Sequence, residues 1–65
     1  MDDIDFKDLY EHNVDFKNYV DKYCFKNNIK KEQAFTHVIV IDYAKYLINP
    51  GKYMDWYLEN KNLYK

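Results

Sequence analysis

The chain has 65 residues, 48% of them hydrophobic and 20% aromatic, with a formal net charge of −1. That suits one domain over residues 1–65, close to the lower size limit, because a chain this short buries only about 60% of the surface its unfolded form exposes. Cys24 is the single cysteine, serine and arginine are absent, and no apolar run exceeds four residues. These facts exclude an internal disulfide, a serine nucleophile, bidentate arginine contacts to phosphate or guanine, and a membrane-spanning helix of about 20 apolar residues.

A lone thiol and the lack of a signal-like leader point to a reducing, cytoplasmic setting. Charge is unevenly spread. Residues 1–15 carry Asp2, Asp3, Asp5, Asp8, Glu11 and Asp15 against Lys7, a net of −5, while residues 16–65 carry a net of +4. The acidic head reads either as a solvated helix face, with acids favouring a helix N-terminus, or as a surface that docks on a basic groove.

The chain order predicts an all-α fold, a small bundle of three to four helices. Asp2 or Asp3 is placed to cap a first helix over residues 4–12, with Ile4, Phe6, Leu9 and Tyr10 apolar. Asn13 then breaks that helix and caps the next. Over residues 14–27, Phe16, Tyr19, Val20, Tyr23 and Cys24 recur at helical spacing and form one apolar stripe. Asn27-Asn28 ends this helix, since asparagine accepts the left-handed conformation of a C-terminal cap, and Ile29 anchors the turn. Residues 31–48 predict the longest helix, apolar on more than one side. Its β-branched run over residues 38–41 favours a strand locally. No second strand-like run is there to pair with it, and an unpaired strand strands its backbone polar groups, so helix is expected. A helix apolar nearly all round needs cover, which points to a homodimer or an external partner. Asn49-Pro50-Gly51 predicts a turn, and residues 52–63 a last helix with Tyr53, Trp56 and Tyr57 along one side.

Little here carries catalytic or metal chemistry. Cys24 lies on the inner stripe, where cysteine is usually a small hydrophobe, and only His12 and His37 could act as its base. Zinc would need Cys24, His12 and His37 to converge from three segments, without the close ligand pair that marks such sites. We therefore expect no enzyme, no cofactor and no bound metal. His37 is expected on the polar strip of the third helix, and Asp42 in an exposed ion pair with Lys45.

The aromatic stock stands out. Eight tyrosines, four phenylalanines and Trp56 exceed what so small a core can hide, and tyrosine combines a rigid face with a polar tip, as binding surfaces require. Tyr53, Trp56 and Tyr57 are the predicted aromatic contact patch. Asp2, Asp3, Asp5, Asp8 and Glu11 are the predicted acidic one.

Two resemblances bear on function. The order from Asn13 to Ile48, an amphipathic helix, an Asn-Asn-Ile turn and a long helix, resembles the two helices of ribbon-helix-helix DNA-binding proteins. That family implies a dimer in which a preceding strand enters the major groove; a dimeric DNA-binding regulator of this chain would set Lys17, Lys22, Lys26, Lys30 and Lys31 on phosphates. The residues that would form the strand, Asp5 to Glu11, are acidic and alternate poorly, which disfavours direct nucleic-acid binding. The segment from Val14 to Cys24, with Glu32 and Ala34 opening the next helix, resembles short helical proteins of phages and conjugative elements in low-GC Gram-positive bacteria. This resemblance implies a compact non-catalytic inhibitor of host defence, of the anti-CRISPR type, acting on a nucleic-acid-handling enzyme. The expected function is a protein–protein interaction module of this kind, with the dimeric DNA-binding regulator as the alternative and a self-associating structural subunit as a third reading.

Overall fold

The computed structural model describes residues 4–64, and the elements in this stretch are all helical. They are α1 (Phe6–His12), α2 (Val14–Asn27), α3 (Lys31–Ala34), α4 (Val38–Ile48), α5 (Pro50–Asn60) and a final 3-10 turn (Lys61–Tyr64). The expected all-α bundle is what forms.

Asparagines set the corners. Asp5 caps α1 by accepting from the Asp8 N–H at 3.0 Å. Asn13 then serves two helices at once: its N–H donates to the Leu9 carbonyl at 2.9 Å, and its side chain accepts from the Phe16 N–H at 3.0 Å. One residue thus satisfies orphan groups at the end of α1 and the start of α2. Asn28 sits at φ 56 and ψ 49, and the Ile29 N–H reaches back to the Cys24 carbonyl at 3.1 Å. This is the six-to-one bond of a Schellman ending, and Ile29 completes it by packing against the core.

Three boundaries differ from the sequence expectation. The first helix begins at Phe6 and not at residue 4, because Asp5 provides the cap. The predicted helix over residues 31–48 is two helices, interrupted at Phe35, Thr36 and His37. There the Thr36 hydroxyl donates to the Gln33 carbonyl at 2.7 Å. The N–H groups of Thr36 and His37 close tight three-residue turns onto Gln33 and Ala34, at 3.1 and 3.0 Å. A hydroxyl that occupies a helix carbonyl competes with the helical ladder, and His37 leaves with extended backbone at ψ 135. The predicted turn at residues 49–51 shrinks to Asn49, whose side chain accepts from the Lys52 N–H at 3.3 Å. Pro50 opens α5 at the position where its missing N–H costs nothing. The last helix therefore spans 50–60 and tightens into a 3-10 turn, where 52–63 was expected.

The break at residues 35–37 has a packing consequence. Phe35 faces inward and stacks between Phe6 and Phe16, at centroid distances of 5.5 and 6.2 Å, which ties α1 to α2. The buried residues are Phe16, Val20, Ala34, Val40, Tyr43 and Ala44. Around Tyr43 a second aromatic group assembles. Tyr64 stacks on it at 4.5 Å, Tyr19 meets it edge-on at 5.1 Å, and Tyr46 and Tyr57 stack on each other at 4.0 Å beside it. The Tyr64 hydroxyl donates to the Ile39 carbonyl at 2.9 Å, fixing the 3-10 turn against α4.

The corner at Asn28 gives a direct test. Asn28→Gly is expected to leave the urea midpoint near that of the wild type. Asn28→Val is expected to lower stability by about 1–2 kcal/mol, because a β-branched residue must adopt the left-handed conformation. Equal midpoints for both variants would show that this corner does not hold the fold.

Candidate functional site

The acidic head is only partly a free surface. Asp2 and Asp3 lie outside the described residues. Asp5, just before α1, and Asp8 and Glu11 on it are exposed, but Asp5 is occupied as a cap and Asp8 pairs with His12 at 3.1 Å. The Asp8 backbone carbonyl, and then its carboxylate, raise the His12 pKa above its ordinary value. Further along, the Tyr10 hydroxyl donates to Asp21, which also pairs with Lys17 at 3.0 Å. The hydrogen bond from Tyr10, with help from Lys17, holds the Asp21 carboxyl below its usual range. This exposed network fastens α1 to α2.

Tyr53, Trp56 and Tyr57 share a side of α5 but enter three environments. Tyr57 is in the stack with Tyr46, Trp56 lies tilted against Tyr64 at 5.7 Å, and Tyr53 is half-buried with the Lys52 ammonium 5.5 Å from its ring. His37 is the residue before α4 and not part of a polar strip, and its Nδ1 lies 2.7 Å from the Tyr23 hydroxyl. Asp42 is half-buried, and the ion pairs among the described residues, His12 with Asp8 and Lys17 with Asp21, do not include it.

The surface that the sequence reading overlooked lies at the far end of α2. Phe25 is 91% exposed, although burying such a side chain is worth about 1.5–3 kcal/mol. It edges a groove of about 580 Å³ whose apolar lining comes from Tyr19, Tyr23, Phe25, Ile39 and Leu63. Lys22 and Lys26 border the same groove, and among the described residues no carboxylate lines it. Neither lysine belongs to an ion pair among the described residues. The signal was present in the sequence: Phe25 falls off the α2 stripe and stands among the polar residues of the outer face, next to Lys26. A large aromatic on that face has no intramolecular reason to be there.

Among the groove's lining residues, the Tyr19 phenol is poorly suited to chemistry at neutral pH. Burial, aided by the phenols of Tyr23 and Tyr43, pushes the Tyr19 phenol from 10.0 up to about 12. Burial also raises Tyr43 and Tyr64. The Cys24 thiol is raised by burial first and by Asp21 and Glu32 after it, opposite to the shift that activates a thiolate. Among the described residues, no three His, Cys, Asp or Glu side chains come together as a metal would require, and no helix is long and apolar enough to cross a membrane. No family model, curated protein or solved structure matches the chain.

The raised phenols make alkaline stability a readout of the aromatic packing. A phenol whose folded pKa lies above its unfolded value contributes stability that is fully present below about pH 10 and is lost as pH rises through 12. The urea midpoint followed by circular dichroism should fall across that window, and less steeply in Tyr19→Phe. A midpoint that stays level through it in the wild type would contradict the buried placement of these rings.

Proposed function

We propose that this chain is a non-enzymatic protein–protein interaction module that makes contact through the groove bordered by Phe25. The supporting observation is the nearly complete exposure of Phe25 beside four further apolar side chains. Buried aromatic anchors dominate the energetics of protein interfaces, and a groove of this size and lining is the kind of surface an apolar side chain enters. A narrower form of the reading is an inhibitor, carried by a mobile element, of a nucleic-acid-handling enzyme. It rests on the exposed acids Asp8, Glu11 and Asp15 and on the resemblance carried by the segment from Val14 to Cys24 with Glu32 and Ala34. For the DNA-binding alternative, the segment that would supply the groove-reading strand is α1 (Phe6–His12).

Affinity capture from cells that express the protein, with wild type and Phe25→Ala as paired baits, tests the proposal. Because Phe25 is exposed, its loss should change stability by no more than about 0.5 kcal/mol. Binding of the specific partner should weaken about 30-fold, as for an interface residue worth 2 kcal/mol. A folded Phe25→Ala bait that retains the same proteins with the same affinity would rule the groove out as the contact surface.

A further inference from the structure

The groove has a chemical counterpart elsewhere on the same chain. On the outward side of α5, Met54 and Leu58 are 40% and 54% exposed, and Asp55 and Glu59 beside them are exposed too. Neither carboxylate takes part in an ion pair among the described residues. Asp55 and Glu59 are one helical turn apart, as are Lys22 and Lys26 on α2, a spacing that sets side chains about 5–6 Å from each other. Two carboxylates therefore match two ammonium groups in number and pitch. Met54 and Leu58, at the same pitch, are of a size to lie against Phe25 and Leu63.

We infer that two copies of this chain pair through these surfaces, the outer face of α5 in each seated in the α2 groove of the other. The inference rests on the groove being the contact surface and names its occupant. Single-stranded nucleic acid fits less well, because the exposed acids Asp8 and Glu11 of α1 and Asp55 and Glu59 of α5 repel a polyanion. Charge and pitch argue for reciprocal exchange, since each copy carries both surfaces and a twofold axis engages both at once. One helix of 11 residues is only about 16 Å long with a face about 10 Å wide, so two such contacts remain below the roughly 800 Å² per partner of a stable dimer, and the pairing is weak and concentration-dependent.

Charge exchange tests the pairing. The wild type should shift from monomer to dimer across a sedimentation series from micromolar to millimolar concentration, and the shift should weaken from low to physiological salt. Lys22→Glu/Lys26→Glu and Asp55→Lys/Glu59→Lys, each alone, should reduce dimerisation by about tenfold or more. An equimolar mixture of the two variants should restore it, since every groove then faces a face of opposite charge. All four positions are exposed, and circular dichroism establishes that each variant folds. A wild type that stays monomeric throughout, a dimer indifferent to salt, or a mixture that fails to recover overturns the inference. Single-stranded DNA that binds wild type and loses affinity in Lys22→Glu/Lys26→Glu, with no dimer formed, overturns it in favour of nucleic acid. If the wild type is monomeric while Phe25→Ala still loses a captured partner, self-pairing falls and the interaction reading stands.

Discussion

The ring of Tyr43 is where the structure is joined. It is buried on α4, and it meets Phe16 and Tyr19 from α2, Tyr46 from its own helix, Tyr57 from α5, and Tyr64 from the final 3-10 turn. Aromatic pairs of this kind contribute about 0.5–1.5 kcal/mol each beyond the area they bury. With so few aliphatic side chains fully enclosed, such contacts stand in for the larger core that a chain of this length cannot build. Tyrosine suits the task because its hydroxyl can remain at the surface or find an acceptor. Tyr64 does the latter by donating to the Ile39 carbonyl.

Closing the C-terminal segment on Tyr43 leaves the other end of α2 without cover. The rings of Tyr19 and Tyr23 lie at the boundary, packed inward on one side and lining the groove on the other. Beyond them the groove is lined by Ile39 and by Leu63, itself 56% exposed. The groove is thus a consequence of how the aromatic side chains are allotted. Rings spent on joining α4, α5 and the last turn to the middle of α2 are not available to cover Phe25. Lys22 and Lys26 beside it, in no ion pair among the described residues, give the opening a charge, and the exposed acids of α5 carry the opposite one.

The sequence made the second helix legible because its stripe is regular and its ends are chemically marked: Asn13 begins it and Asn28, in the left-handed conformation, finishes it. The break after Ala34 was not legible. Apolar residues run through it on both sides, and the interruption depends on the Thr36 hydroxyl choosing the Gln33 carbonyl, a local competition that leaves no mark on hydrophobic periodicity. The aromatic surplus was legible in the composition, but which partner each ring packs against was not. Tyr57 and Trp56 look free on a helical wheel, and only the packing of α4 and of the last turn against α5 brings Tyr46 and Tyr64 against them. Phe25 was legible and passed over, since attention to the stripe hides an aromatic that stands off it.

Whether Phe25 faces water in the isolated chain decides the matter most directly. A soluble paramagnetic agent added to a dilute sample, with aromatic ring protons followed by NMR, measures this residue by residue. The expected result is strong relaxation of the Phe25 ring, which is 91% exposed, and none of the Phe16 ring, which is fully enclosed. A Phe25 ring as well shielded as that of Phe16 in dilute monomer would contradict the open groove, and with it the contact surface described above.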